Sequence, residues 1–206
     1  MKYAKVLGLL AVAAAALMAF AGVASATYLT SPSGVTYTST IKAEVELGHA
    51  ILHSENAPTA FTVECNIGAV EGTVSAHGLP ESTTASGAIS SLSFSGCTNG
   101  ATVIVNKPGS LEVHTDTAGK VDGNGTLTSS GAEITIHVPV LNIKCIYTTN
   151  GTDVGTLTGS KVTGATATLD INSATIPRTG GSAFCGTGGF WTGNYKVTTP
   201  DYLDVD

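Results

Sequence analysis

The chain has 206 residues, of which 42% are hydrophobic, 12% charged and 6% aromatic, with 25 glycines and four cysteines. That length allows one domain, or two small ones, with a real buried core. Nine basic against fifteen acidic residues are too few charges for a solvated disordered tail, a coiled coil or a nucleic-acid binder.

The first element in chain order is a leader. Lys2 and Lys5 precede Val6-Leu7-Gly8-Leu9-Leu10 and an alanine-rich run that closes on Ala24-Ser25-Ala26. A basic start, an apolar centre and a small-x-small exit are the parts of a secretory signal peptide. Residues 1–26 are therefore expected as signal, with cleavage before Thr27, and residues 27–206 as one secreted all-β domain. An uncleaved anchor is the competing reading, because Val6 to Ala26 can just span a bilayer. Alanine is weakly apolar and the exit is well formed, which favours cleavage. No later segment is apolar and long enough to span, so no membrane span is expected after cleavage.

After the leader, seven basic residues face fifteen acids, a net charge of −8, among 31 threonines, 17 serines and 23 glycines. Threonine and valine favour strands, and glycine disfavours helices. The excess negative charge argues against nucleic acid and anionic headgroups as partners. From Tyr37 to Leu47 the odd positions Tyr37, Ile41, Ala43, Val45 and Leu47 are apolar, and the even ones are Thr, Lys and Glu. This is a strand with one wet face. The same period recurs at Phe61–Ile67, Leu111–His114, Ile134–Val138, Leu141–Cys145 and Trp191–Val197. Breakers separate the runs: Ala57-Pro58, Lys107-Pro108-Gly109, Asp122 to Gly125, Asn150-Gly151 and Arg178 to Gly181. The expected fold is an all-β, disulfide-stapled antiparallel sandwich, with no helix after residue 27. The order of elements repeats weakly, which suggests pseudo-repeats 36–118 and 125–206.

Each half has a cysteine ending an alternating strand (Cys65, Cys145), then Gly72-Thr73-Val74 or Gly155-Thr156-Leu157. A Gly/Ala/Ser-rich run and a second cysteine (Cys97, Cys185) follow. This pattern resembles the small secreted bacterial proteins named activators of alkane oxidation, the PraB-like family, over about half the chain. The resemblance implies an exported β-rich protein concerned with surface interaction and biofilm, with no catalytic residues to carry over.

Four cysteines behind a signal peptide point to disulfides. Three pairings are possible. Cys65–Cys97 with Cys145–Cys185 respects the repeat and closes two loops of similar size, each adding roughly 3–4 kcal/mol. Zinc is the alternative, but no CxxC or neighbouring histidine supports it.

Other residues carry weaker chemistry. His49 and His53 have i, i+4 spacing, which suits a metal only on a helix. His114 and His137 fall on the polar phase of their strands, and His77 sits in a turn. No nucleophile elbow, HExxH, P-loop or GxGxxG occurs, so no catalytic, cofactor or metal residues are assigned. Ile176-Pro177-Arg178-Thr179-Gly180 resembles a sortase pentapeptide but lacks the apolar helix and basic tail, and reads as a turn. Asp204 and Asp206 share a strand face, as a charged edge rather than a calcium loop. Asn124-Gly-Thr126 and Asn150-Gly-Thr152 read as hairpin turns. Trp191 and Tyr195, in phase, form the candidate surface or ligand pair, although a core position suits them better.

These features add up to a non-catalytic secreted or cell-envelope protein that works through its surface in adhesion, matrix or assembly. Its expected partners are further copies or extracellular polymers, and no cofactor is implied. The alternative is an extracellular carbohydrate-binding module or glycan-active enzyme. Strands from Thr27 to Leu47, freed by cleavage, could be donated to a neighbouring subunit, but folding back as an edge strand of the same sheet is the expected outcome.

Overall fold

The computed structural model describes residues 27–31, 33–46, 48–55, 61–76, 84–115, 123–160 and 165–206. The leader, Leu47, the Ala57-Pro58 breaker and His77 lie outside the described residues. Within them the Thr- and Val-rich runs form strands, as their propensity dictates. In chain order these are β1 (Leu29–Thr30), β2 (Thr40–Val45), β3 (Ala50–Glu55), β4 (Thr62–Ala76) and β5 (Thr84–Cys97). Then come β6 (Thr102–Lys107), β7 (Ser110–Thr115), β8 (Asn124–Ser130), β9 (Glu133–Val138) and β10 (Ile143–Thr148). The last are β11 (Thr152–Thr158), β12 (Thr168–Gly181), β13 (Gly188–Thr199) and β14 (Asp204–Val205). The only helical pieces among the described residues are three-residue 3-10 turns at Thr98–Gly100, Pro139–Leu141 and Ala183–Cys185.

Eight strands close into an antiparallel barrel in the order β2, β4, β5, β7, β8, β11, β12, β13 and back to β2. This corrects the expected sandwich. The reason is β2, which bonds to β13 along one edge (Tyr195↔Val45) and to β4 along the other (Ala43↔Val70). Two sheets of a sandwich keep edges; a strand paired on both sides removes them. The same pairing corrects the edge-strand expectation for the segment that begins at Thr27. Its larger strand lies inside the ring, while β1 forms a separate ribbon with β14 (Leu29↔Val205).

β4, β5, β12 and β13, of 15, 14, 14 and 12 residues, outrun the barrel and build a second storey. There β3 inserts between β13 and β4, and the end of β12 pairs with β10, which pairs with β9, which pairs with β6. Each storey has its own core. Leu29, Val113, Leu127, Leu157, Tyr195 and Val205 fill the barrel. Leu52, Val63, Cys65, Ile136, Cys145 and Tyr147 fill the second storey, and Trp191 packs against both cores.

The strand phases follow the sequence with one instructive break. Phe61, Val63 and Cys65 point inward, but Ile67 is 60% exposed while Gly68 and Val74 are buried. The alternation shifts by one residue between Cys65 and Gly68, opposite Gly96, which has φ 65° and reverses the chain's facing on β5.

Several turns expected from the sequence are strand. Ile176 to Gly180 lies within β12, where Pro177, which needs no donor partner, stands at the point where β12 leaves β13 (Pro177↔Gly188) for β10 (Arg178↔Tyr147). Gly181, at φ 90°, supplies the left-handed residue. Asn124-Gly-Thr126 opens β8, and Gly125 is buried where any side chain would collide with Val113 and the His114 carbonyl. Asn150-Gly151 is a turn, with Gly151 at φ 63°, but not the expected hairpin. It joins β10, which pairs with β9 and β12, to β11, which pairs with β8 and β12, and the two strands do not pair with each other. Asp204 is buried rather than a solvated edge, and Asp206 accepts a 2.6 Å hydrogen bond from the Thr30 hydroxyl.

Both disulfides have the expected pairing, Cys65–Cys97 and Cys145–Cys185, and no free cysteine remains. The first joins register partners of β4 and β5. The second ties the Ala183–Cys185 turn, which belongs to no ladder, to β10.

Candidate functional site

The second storey concentrates the surface apolar groups. Among the described residues the exposed large hydrophobic side chains are Val35, Ile67, Ile104, Val140, Leu141 and Phe184, and all but Val35 lie on its elements. Val140 and Leu141 stand on the Pro139–Leu141 turn, which starts at a proline and stops at Asn142 in the left-handed conformation (φ 51°). Phe184 stands on a turn held from several sides. The Cys145–Cys185 bridge anchors it, Ser182 N–H donates to the Lys144 carbonyl at 2.8 Å, and the Arg178 guanidinium donates to the Ser182 carbonyl at 2.8 Å. The Thr98–Gly100 turn packs against the Pro139–Leu141 turn. Rigidly held, exposed apolar groups gathered on one end are the mark of a contact surface.

On one side of this storey two neighbouring strands run close together without a ladder. β6 bonds to β9 but makes no ladder with β5, although the two are joined by a single turn. β5 is likewise paired only with β4 from Ser91 to Cys97. Ile104 projects from β6 into solvent beside this unpaired edge.

Trp191 and Tyr195 meet edge-to-face with ring centroids 6.4 Å apart, and Phe94 meets Trp191 at 5.9 Å. Tyr195 is buried and Trp191 is half-buried between the two cores, so the pair faces inward rather than forming a flat sugar platform. Burial raises the Tyr195 phenol, with the Trp191 side chain partly offsetting it. Burial likewise pushes Tyr147 up to about 12, with Arg178 acting against the shift. The Tyr147 hydroxyl is buried with no hydrogen-bond partner among the described residues.

The histidines are placed apart. His49 contacts the Glu64 carboxylate at 3.1 Å and His53 the Thr62 hydroxyl at 2.9 Å, next to or on a strand rather than a helix. His114 lies 3.8 Å from Glu112, and His137 sits on β9. Among the described residues no three His, Cys, Asp or Glu side chains converge as a metal site. No helix among them is long and apolar enough to cross a membrane.

A second, polar feature was not legible in the sequence. β11 is bulged against β8 (Asp153/Gly155) and β12 against β13 (Ile171/Ala174), and a surface groove of about 750 Å³ opens where the β11–β12 ladder stops at Thr156↔Asp170. Asp153, Thr156, Asp170, Asn172 and Thr175 line it. Its carboxylates are already engaged: Thr128 donates to Asp153 at 2.7 Å, and Thr168 and Asn194 donate to Asp170. Ser173, at φ 55°, holds the bulge that sets the groove's wall.

Comparison of the chain with protein-family models, with curated proteins and with solved structures finds no match. The functional reading therefore rests on the geometry.

Proposed function

We propose that this is a non-catalytic secreted or cell-envelope protein that works through its surface, in adhesion, matrix or assembly, and that the stapled second storey is the working end. The observation that carries the reading is the exposure of Val140 and Leu141 on the Pro139–Leu141 turn and of Phe184 on the disulfide-braced Ala183–Cys185 turn, both at the end of the second storey. Exposing such side chains opposes solubility, so a protein that also fixes them in place gains something from their contacts. The two disulfides suit an oxidising compartment, and the signal-like leader and the PraB-like resemblance point the same way. Further copies and extracellular polymers are the partners of this surface.

Sedimentation velocity of the purified protein, with co-pelleting on extracellular polymer from the producing cells, tests the reading. Val140→Lys with Phe184→Lys leaves the cores untouched and should abolish the association seen with the unaltered chain. Turnover of a glycan, ester or peptide that is lost on a single Asp or Glu substitution would overturn it.

The groove over Asp170 favours a second reading, a carbohydrate-binding module or glycan-active enzyme. Hydroxyl, amide and carboxylate groups with no aromatic floor suit weak hydrogen-bonded recognition of a sugar edge. Binding to a glycan panel that Asp170→Asn removes, with the apolar end intact, would favour this alternative.

A further inference from the structure

The interior of the molecule is incompletely filled. A cavity of about 40 Å³ lies in the second storey against Leu52, Val63, Phe94, Ile136, Tyr147 and Trp191. A second, also about 40 Å³, shares Leu92, Ala132 and Trp191 with the first. A third, about 80 Å³ in the barrel, shares Val70, Ile89, Leu111, Leu127 and Leu169 with the second. The three therefore lie in file, with Trp191 at the junction. No charged side chain lines any of them.

Two independent observations give this file a use. The first is access. β5 and β6 run side by side over the first cavity without backbone bonds between them. Leu92 and Phe94 of β5 and Val103 of β6 line that cavity, and all three are half-exposed, so only side chains separate it from solvent. The second is the Tyr147 hydroxyl, fully buried, in a residue that lines the cavity, with no partner among the described residues. A buried hydroxyl left unpaired is costly. A water molecule would need two to four polar partners to settle there. Besides Tyr147, the lining side chains offer the Thr149 hydroxyl, which already contacts Ser129 and Ala132 N–H at 3.0 Å each, and the Trp191 indole N–H, which lies near the Tyr195 phenol. A ligand that brings its own hydrogen-bonding atom and is otherwise apolar satisfies the site better than water.

Size narrows the class. Each cavity is well below the ~150 Å³ that accommodates a benzene ring. Strung in file, they suit a narrow chain that passes between side chains. We infer that the file binds one unbranched aliphatic chain with a neutral hydrogen-bonding head group, the head against Tyr147 and the chain running past Trp191 into the barrel.

Trp191 is the only tryptophan in the chain, so its emission reports on the junction directly. The full chain is titrated with 5-bromopentanol, whose bromine reaches the Trp191 junction when the head is at Tyr147 and quenches indole on contact, and with 1-bromopentane, which lacks the head. Saturable quenching is expected for both, with the alcohol about five- to tenfold tighter, as one hydrogen bond in an apolar site implies. Tyr147→Phe removes one unpaired oxygen and leaves the packing intact. It should bring the alcohol down to the affinity of the bromide and leave the bromide unchanged. Non-saturating quenching in the unaltered chain overturns the site. Saturable quenching in which Tyr147→Phe leaves the alcohol's advantage intact, or in which the alcohol has no advantage, overturns the assignment of the head group.

Discussion

Replacing Cys145 and Cys185 together by alanine removes the bridge that closes a 40-residue separation between β10 and the Ala183–Cys185 turn. Loop closure of that length, on the chain-entropy treatment, corresponds to about 4 kcal/mol at 25 °C. Both sulfurs are fully buried, so lost packing adds to that figure rather than offsetting it. For a domain of this size each kcal/mol moves the melting temperature by about 2–4 °C, which predicts a fall of about 8–16 °C. Urea unfolding of the purified protein is the second assay. It should show a lower midpoint together with a steeper slope, because the freed chain exposes more surface when unfolded. The backbone bonds that hold the turn, Ser182 N–H to Lys144 and Arg178 to Ser182, remain in the variant, so β10 keeps its ladder. A melting shift under about 3 °C, or a lowered midpoint with an unchanged slope, would refute the loop-entropy account.

Three other outcomes are expected. Tyr147 keeps its proton to about pH 12 when folded but titrates near 10 when unfolded. Its contribution is therefore whole below pH 10 and is lost as pH rises from 10 to 12, and Tyr147→Phe should flatten the alkaline limb of a melting profile over that window. An unchanged limb would remove Tyr147 from the account. Gly155→Ala should destabilise by about 3 kcal/mol or more in chemical denaturation, since the added methyl would collide with the Asp170 carbonyl across the β11–β12 ladder; a loss under about 0.5 kcal/mol would contradict that approach. Mass spectrometry of the exported protein should find Thr27 at the N-terminus, and an intact Met1 would sink the signal-peptide reading.

What the sequence revealed of this fold is what depends on local pattern. Alternation placed Val63, Ile136, Cys145 and Tyr195 inward, and the inward phase of Cys65 and Cys145 with the loop sizes identified both bridges. Closure of the barrel was not legible, because it depends on β2 meeting β13 about 150 residues later, and periodicity says nothing about which edges meet. Ile67 failed for a different reason: one left-handed glycine on the neighbouring strand moved the phase, and a period read along one strand is blind to its partner. Pro177 looked like a breaker, yet a strand that changes partners has a place for a residue without a donor. The groove over Asp170 lies where the β11–β12 ladder stops, and the cavity beside Tyr147 lies under two strands, β5 and β6, that form no ladder. Both are failures of pairing, and composition does not encode them.

The meeting of Tyr28 and Asp206 has a geometric consequence. Their backbones exchange hydrogen bonds of 2.7 and 2.9 Å beneath the barrel, where Leu29 and Val205 are buried. The braced turns carrying Val140 and Phe184 stand on the other core, at the far ends of β4 and β12. The molecule is thus polar in the sense of a stud, with Tyr28 and Asp206 at the foot and the apolar groups at the head. Anything joined at Asp206, whether a tag, a support or a surface tether, holds the head outward. Immobilisation through that residue therefore presents every copy in one orientation, with Phe184 facing the bulk.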